Sequence, residues 1–128
     1  MKTRVYNCPV EATLDVIGGK WKPLILWYLN ESTLRFSELK KKIPGITEKM
    51  LTQHLRELEA DGIVARKVFA TVPPRVEYSL TEYGASLKRA LKAICDWGLV
   101  HIERTNAKIA SPARASASRA SGPRHAVR

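Results

Sequence analysis

Cysteine is scarce in this 128-residue chain: Cys8 and Cys95 stand far apart, without a partnering motif. Two isolated thiols exclude a disulfide scaffold and suit a reducing compartment. The histidines are just as sparse, and none sits with cysteine at a zinc-binding spacing, so no metal is expected. No apolar run approaches the roughly 20 residues that a membrane-spanning helix needs. The Met1-Lys2-Thr3-Arg4 start lacks the apolar stretch of a secretory signal, which predicts a cytoplasmic protein with no membrane partner. There is no glycine-rich phosphate loop, no nucleophile elbow and no pair of carboxylates on one element. An enzyme reading therefore fares badly, and no cofactor is expected.

Positive charge is what the chain has in excess. Its formal net charge is +10, with a pI near 10.0, and such a balance favours a polyanionic partner. The excess is divided in two. Residues 1–105 carry 17 Lys and Arg against 12 Asp and Glu, a net of +5. Lys108, Arg114, Arg119, Arg124 and Arg128 add the other +5 with no acid among them. From Ala110 onward the composition collapses to Ala, Ser, Pro, Arg and Gly, too little apolar bulk to offset ordering entropy. Residues 1–107 are accordingly expected to form one folded domain, and 108–128 a disordered basic tail.

Hydrophobic spacing outlines the domain. A first helix is predicted over roughly Val10 to Ile17, with Val10, Leu14 and Ile17 on one face. Gly18-Gly19 breaks it. Trp21 to Leu29 is almost wholly apolar and reads as the buried central helix. Thr33-Leu34-Arg35 reads as a short strand, and Phe36 to Lys42 as another helix burying Phe36 and Leu39, with Ile43 following. After a turn at Pro44-Gly45, Thr47 is placed to cap a helix that buries Leu51, Leu55 and Leu58 and stops at Gly62. Ile63 to Ala70 and Arg75 to Leu80 alternate with a period near two and form a hairpin tipped by Pro73-Pro74. Thr81 is expected to cap a long last helix, on which Leu80, Tyr83, Leu87, Leu91, Ile94 and Gly98 form a candidate dimer seam. The fold class that follows is mainly α with a small β-wing: a winged helix-turn-helix, built as a three-helix core, a β-hairpin and a long C-terminal dimerisation helix.

That arrangement leaves a polar face outward. Opposite the leucines of the Thr47 helix lie Glu48, Lys49, Thr52, Gln53 and Arg56. A helix of this kind fits a major groove, where Gln suits adenine and Arg suits guanine, each such pair giving about 1–3 kcal/mol of discrimination. Gln53 and Lys49 are the expected base readers, with Thr52 and Arg56 on bases or the adjacent backbone. Thr47, at the helix N-terminus, is set to meet a phosphate. Arg75 at the wing tip is expected in the minor groove, Arg66 and Lys67 on phosphates along the hairpin, and Lys40, Lys41 and Lys42 on further phosphates. A non-regulatory basic module, its affinity supplied mostly by the tail, is the rival; it predicts little sequence preference and a steep salt slope.

Several stretches together resemble the HxlR family of bacterial winged-helix transcription regulators, related to the MarR group. They are Cys8-Pro9, Gly19-Lys20-Trp21, Leu34-Arg35-Phe36-Ser37-Glu38-Leu39, Ile46 through Leu58, Asp61-Gly62-Ile63-Val64-Ala65-Arg66, Pro74-Arg75-Val76-Glu77-Tyr78-Ser79-Leu80-Thr81 with Gly84, and Trp97. The resemblance covers roughly residues 5 to 105. It implies a homodimer, joined through the first and last helices, that binds a pseudo-palindromic operator in double-stranded DNA on the bacterial nucleoid, with repression as the default outcome. It also implies that Cys8 occupies the position used for thiol sensing in many members, where a helix N-terminus, with Lys2 and Arg4 nearby, favours the reactive thiolate. An electrophile is one candidate signal. A small aromatic effector beside Trp21 and Trp27 is the other. Cys95 is read as a packing residue of the last helix. The operator sequence and the controlled genes are not written in the chain.

Overall fold

The computed structural model describes residues 3–110. Its elements run α1 (Pro9–Ile17), α2 (Lys22–Glu31), β1 (Leu34–Arg35), α3 (Phe36–Lys42), α4 (Glu48–Ala60), β2 (Val64–Phe69), β3 (Arg75–Leu80), α5 (Glu82–Ala85) and α6 (Lys88–Thr105). The strands form an antiparallel sheet in the order β1-β3-β2, with Leu34 opposite Tyr78 and a hairpin ladder from Val64–Leu80 to Phe69–Arg75. This is a winged helix-turn-helix, mainly helical with a small sheet, as the spacing predicts. The chain divides into two units, the first ending at Ser86 and the second beginning at Leu87.

The first unit is organised around α2, α3 and α4. Ile25, Leu26 and Leu29 of α2, Leu39 of α3 and Leu51, Leu55 and Leu58 of α4 are all buried, joined by Leu34, Ile43, Ile46, Ile63 and Val64 from the connections and strands. Each fully buried side chain of this type contributes about 1.5–3 kcal/mol of transfer free energy, so the face of each helix that carries them is settled by the core. Local chemistry then sets the ends. The Thr47 hydroxyl accepts from the Met50 N–H at 3.1 Å, capping α4. Gly62 follows with a φ of +75°, a left-handed conformation that few residues other than glycine adopt cheaply. α3 is started by Glu38, whose carboxylate accepts from the Arg35 N–H at 2.8 Å.

The joint between hairpin and α5 is equally local. The Thr81 hydroxyl accepts from the Gly84 N–H at 2.9 Å and donates to the Gly62 carbonyl at 2.5 Å. The Thr81 N–H donates to the Ile63 carbonyl at 3.0 Å. Gly84 packs so closely that a Cβ there would fall 2.1 Å from the Ile63 oxygen.

One expectation changes. The last helix does not run unbroken from Thr81: α5 ends at Ala85, and α6 begins at Lys88. At the break the Ser86 hydroxyl donates to the Tyr83 carbonyl and the Ser86 N–H donates to the same oxygen, so serine diverts a helical acceptor into a tighter turn. The proposed seam is therefore shared between two helices, with Tyr83 on α5 and Leu91, Ile94 and Gly98 on α6. On α6 Leu91 and Leu99 are buried, while Ile94 and Trp97 are 54% and 62% exposed, and Tyr83 on α5 is exposed as well. On α1 only Ile17 of the predicted apolar face is buried; Val10 and Leu14 stand in solvent. The predicted tail lies outside the described residues from Ser111 onward.

Replacing Gly84 with Ala should destabilise the protein by about 1–3 kcal/mol, because the added methyl must push the Ile63 carbonyl and the hydrogen bond it shares with Thr81. A urea melt that leaves the midpoint unmoved would show that the contact is not tight in solution.

Candidate nucleic-acid interface

Helix α4 is amphipathic in the strict sense that its two sides have opposite fates. Leu51, Leu55 and Leu58 are buried, and Glu48, Lys49, Gln53 and Arg56 are exposed, with Thr52 half-buried between them. The Lys49, Thr52, Gln53 and Arg56 set recurs at positions one turn apart, which a helix brings to one side. Glu48 and Glu57 border a groove of about 450 Å³ that also takes in Lys49, Thr52, Gln53 and Arg56. A second groove of about 450 Å³ separates α4 from the sheet, and Thr52, Arg56, Glu59, Arg66 and Tyr78 line it. Two guanidinium groups and two hydroxyls thus face one concave surface, a chemistry suited to phosphate oxygens. Thr47 is exposed at the start of α4, where amide N–H groups point outward.

The wing sorts its cations by strand parity. Arg66 pairs with Tyr78 and Lys67 with Glu77, and consecutive strand residues point to opposite faces. Arg66 therefore lies on the side of the sheet that faces α4, and Lys67 on the other. The two cations expected on phosphates along the hairpin thus stand on opposite faces of it. Arg75 lies beside the wing tip, as the first residue of β3. Its guanidinium lies 4.1 Å from the centre of the Phe69 ring, and Nε is 3.1 Å from Glu77. The Nε–Glu77 approach is an ion pair rather than an aligned hydrogen bond, since the same nitrogen is buried with no properly oriented acceptor. The Lys67 ammonium lies 5.0 Å from the same ring. The turn beyond, Thr71 to Pro74, is exposed and uncharged. Lys41 and Lys42 are exposed on α3 and Lys40 is half-buried, with Lys42 lying 5.5 Å from the Tyr28 ring.

Sequence reasoning missed the residue that organises the centre of this face. Glu57 Oε1 accepts from Lys22 Nζ at 2.9 Å, and its Oε2 accepts from Gln53 Nε2 at 3.4 Å. His54 Nδ1 lies 3.4 Å from the first oxygen. The Lys22 side chain is only 12% exposed, whereas that of Glu57 is 43% exposed. The hydrogen bond from Lys22, followed by those involving His54 and Gln53, lowers the Glu57 carboxyl to about 2. Glu57 lies one helical turn from Gln53, a spacing visible in the sequence, but nothing in the sequence brings Lys22 of α2 to it.

Cys8 caps the start of α1 and is exposed, without a side-chain hydrogen bond to the helix; Cys95 is half-buried on α6. Arg4 pairs with Asp15, to which the Tyr6 hydroxyl also donates at 2.5 Å. That hydroxyl first, and Arg4 after it, hold the Asp15 carboxyl below its ordinary value. Arg4 is thus engaged by Asp15. Lys2 lies outside the described residues. Among the described residues no helix is long and apolar enough to cross a membrane, and no cluster of His, Cys, Asp and Glu is arranged to hold a metal.

Comparison with known proteins places this geometry in a setting. The family profile described as HxlR-like helix-turn-helix matches residues 16–106. The HTH-type transcriptional regulator YtcD of Bacillus subtilis (strain 168) is 58% identical over 104 residues, 81% of this chain and 82% of that protein. The solved structure of YtcD superposes with a TM-score of 0.72 at 57% identity, covering 75% of this chain and 98% of that one. The redox regulator HypR in its oxidized form superposes with a TM-score of 0.70 at 53% identity, covering 73% and 96%.

Because its folded carboxyl is lowered, Glu57 adds stability that is complete above about pH 4.5 and is lost as the pH falls toward about 2. Lys22→Met should therefore flatten the rise of the urea midpoint between pH 2 and pH 5. An acid limb as steep as that of the parent protein would mean that the pair does not form in solution.

Proposed function

The chain belongs to the HxlR-like helix-turn-helix family and is a transcriptional regulator rather than an enzyme; from that premise we propose that it is a homodimeric repressor whose α4 reads the major groove of a pseudo-palindromic operator. The observation that carries this reading is the division of α4 into a buried leucine side and an exposed side bearing Lys49, Thr52, Gln53 and Arg56. Gln53 and Lys49 meet base edges, while Thr52 and Arg56 meet bases or the adjoining backbone, with Glu48 beside them. Thr47 at the helix start and Lys40 and Lys41 on α3 meet phosphates.

Arg66 faces the groove between α4 and the sheet and serves the same backbone as Arg56. Lys67 and Arg75, on the other face of the wing, serve a second phosphate path. Arg75 reaches the minor groove by exchanging Phe69 and Glu77 for the DNA. A guanidinium stacked on a ring and beside one carboxylate gives up little when a denser anionic surface arrives.

Dimerisation supplies the second half of the operator. Val10 and Leu14 on α1 expose apolar side chains, as do Ile94 and Trp97 on α6, and a second copy of the chain would cover them. Two copies of α4 held about 34–36 Å apart reach successive major grooves on one side of a duplex. The thiol of Cys8, exposed at the start of α1, is placed to report oxidants or electrophiles to that spacing, and the redox regulator HypR among the structural relatives supports the assignment.

In gel shifts against a site selected from random DNA, Gln53→Ala should reduce binding to that site toward the level of random duplex, a loss of tenfold or more. Arg75→Ala should instead weaken both by a similar factor and lower the salt slope by about one. Normal operator binding by both variants would overturn the assignment of α4 and the wing. Titrating the thiols with an electrophile should change operator affinity in the parent protein and not in Cys8→Ser; unchanged affinity in the parent would remove the sensing role.

A further inference from the structure

We propose that Glu57 is a specificity-determining positioning residue: anchored to Lys22, its carboxylate sets which way round the Gln53 amide faces DNA, and so selects adenine over guanine at that base pair. The inference rests on reading α4 as the recognition helix. It starts from what each group is able to do. An ionised carboxylate only accepts hydrogen bonds, and an ammonium only donates. Lys22 Nζ takes Glu57 Oε1 at 2.9 Å, which leaves Oε2 for the neighbour one turn earlier. Gln53 can satisfy that oxygen only with its NH₂ end, and Nε2 lies 3.4 Å from it. The orientation of the amide is thus a consequence of the charge on Glu57.

The same orientation decides what Gln53 offers to the groove. Its NH₂ group has two hydrogens, one directed to Glu57 and one free. Its carbonyl oxygen is also free. An acceptor beside a donor complements adenine, whose N6–H₂ donates and whose N7 accepts in the major groove. Guanine offers two acceptors there, O6 and N7, and leaves the glutamine oxygen facing an acceptor. Leaving such a group unmatched is what penalises the wrong base. Lys22 makes the arrangement rigid. It reaches Glu57 from α2, outside the recognition helix, and its side chain, only 12% exposed, has little freedom to swing away. The carboxyl is lowered to about 2, so Glu57 stays ionised at any pH at which the protein binds DNA.

Glu57→Gln tests the claim because it keeps the shape and changes only the donor pattern. Lys22 still requires an acceptor, so the new side chain keeps its oxygen there and turns its NH₂ toward Gln53. Gln53 must then reverse, directing its oxygen inward and two N–H groups at the DNA, which is the pattern that guanine accepts. The experiment is selection from a random duplex pool with the full chain, comparing the parent, Gln53→Ala and Glu57→Gln. The parent should favour adenine about tenfold at one symmetry-related position, Gln53→Ala should lose that preference alone, and Glu57→Gln should change it to guanine with the other positions kept.

Retention of adenine by Glu57→Gln, or an even loss of preference across the whole site, would overturn the proposal in favour of a purely structural carboxylate. A second variant guards against misfolding: Lys22→Met combined with Glu57→Leu removes the pair without leaving a buried charge. It should equalise adenine and guanine at that position, and persistence of adenine would again overturn the claim. If the parent itself enriches no sequence, the DNA-reading assignment of α4 falls and this inference falls with it.

Discussion

The structure depends on one constraint: Leu51, Leu55 and Leu58 must leave water together. They lie at spacings of four and three along α4, so one helical face is committed to the core and the opposite one has nowhere to go but solvent. Rotating α4 to hide Gln53 or Arg56 would expose three leucines, and at about 1.5–3 kcal/mol each the loss exceeds anything the polar side chains would gain. The interface is therefore a by-product of packing. The outward residues can be changed at little cost to stability.

Packing alone leaves the outward side chains free to rotate, and two small clusters limit that freedom. In the first, Glu57 ties Gln53 to Lys22, so α4 is held to α2 through a polar contact. In the second, Phe69 lies under Lys67 and Arg75, with Glu77 adjacent. Both clusters use a carboxylate to hold a cationic or amide group at modest strength. They differ in reach: the first joins two helices through a lysine side chain that is largely buried, whereas the second lies in the wing and involves only strand neighbours.

The chain made most of the fold legible because its signals are local. Thr47 before Met50, Gly62 after Ala60, and alternation through Val64–Phe69 and Arg75–Leu80 each report a cap, a stop or a strand without reference to distant residues. The long last helix failed for a complementary reason. Helical spacing continues through Ser86 and Leu87, but the close approach of Gly84 to the Ile63 carbonyl and the serine bond to Tyr83 are set by contacts that spacing does not record. The contacts of Arg75 were hidden in a similar way. Next to Pro74 it looks like a tip, yet the register pairs it with Phe69 and draws it onto the ring.

Sequence by itself determined the element order, the leucine face of α4 and hence the identity of the outward residues, since hydrophobic periodicity is a property of neighbours along the chain. Only the tertiary structure decided how those residues are held. Lys22 reaches Glu57, Arg66 and Lys67 part to opposite faces, and Arg75 folds onto Phe69, because each depends on which elements meet in space. A carboxylate's partner 35 positions away is not encoded in local spacing. It is produced when two helices commit their apolar sides to one core and bring a lysine and a glutamate within reach of each other.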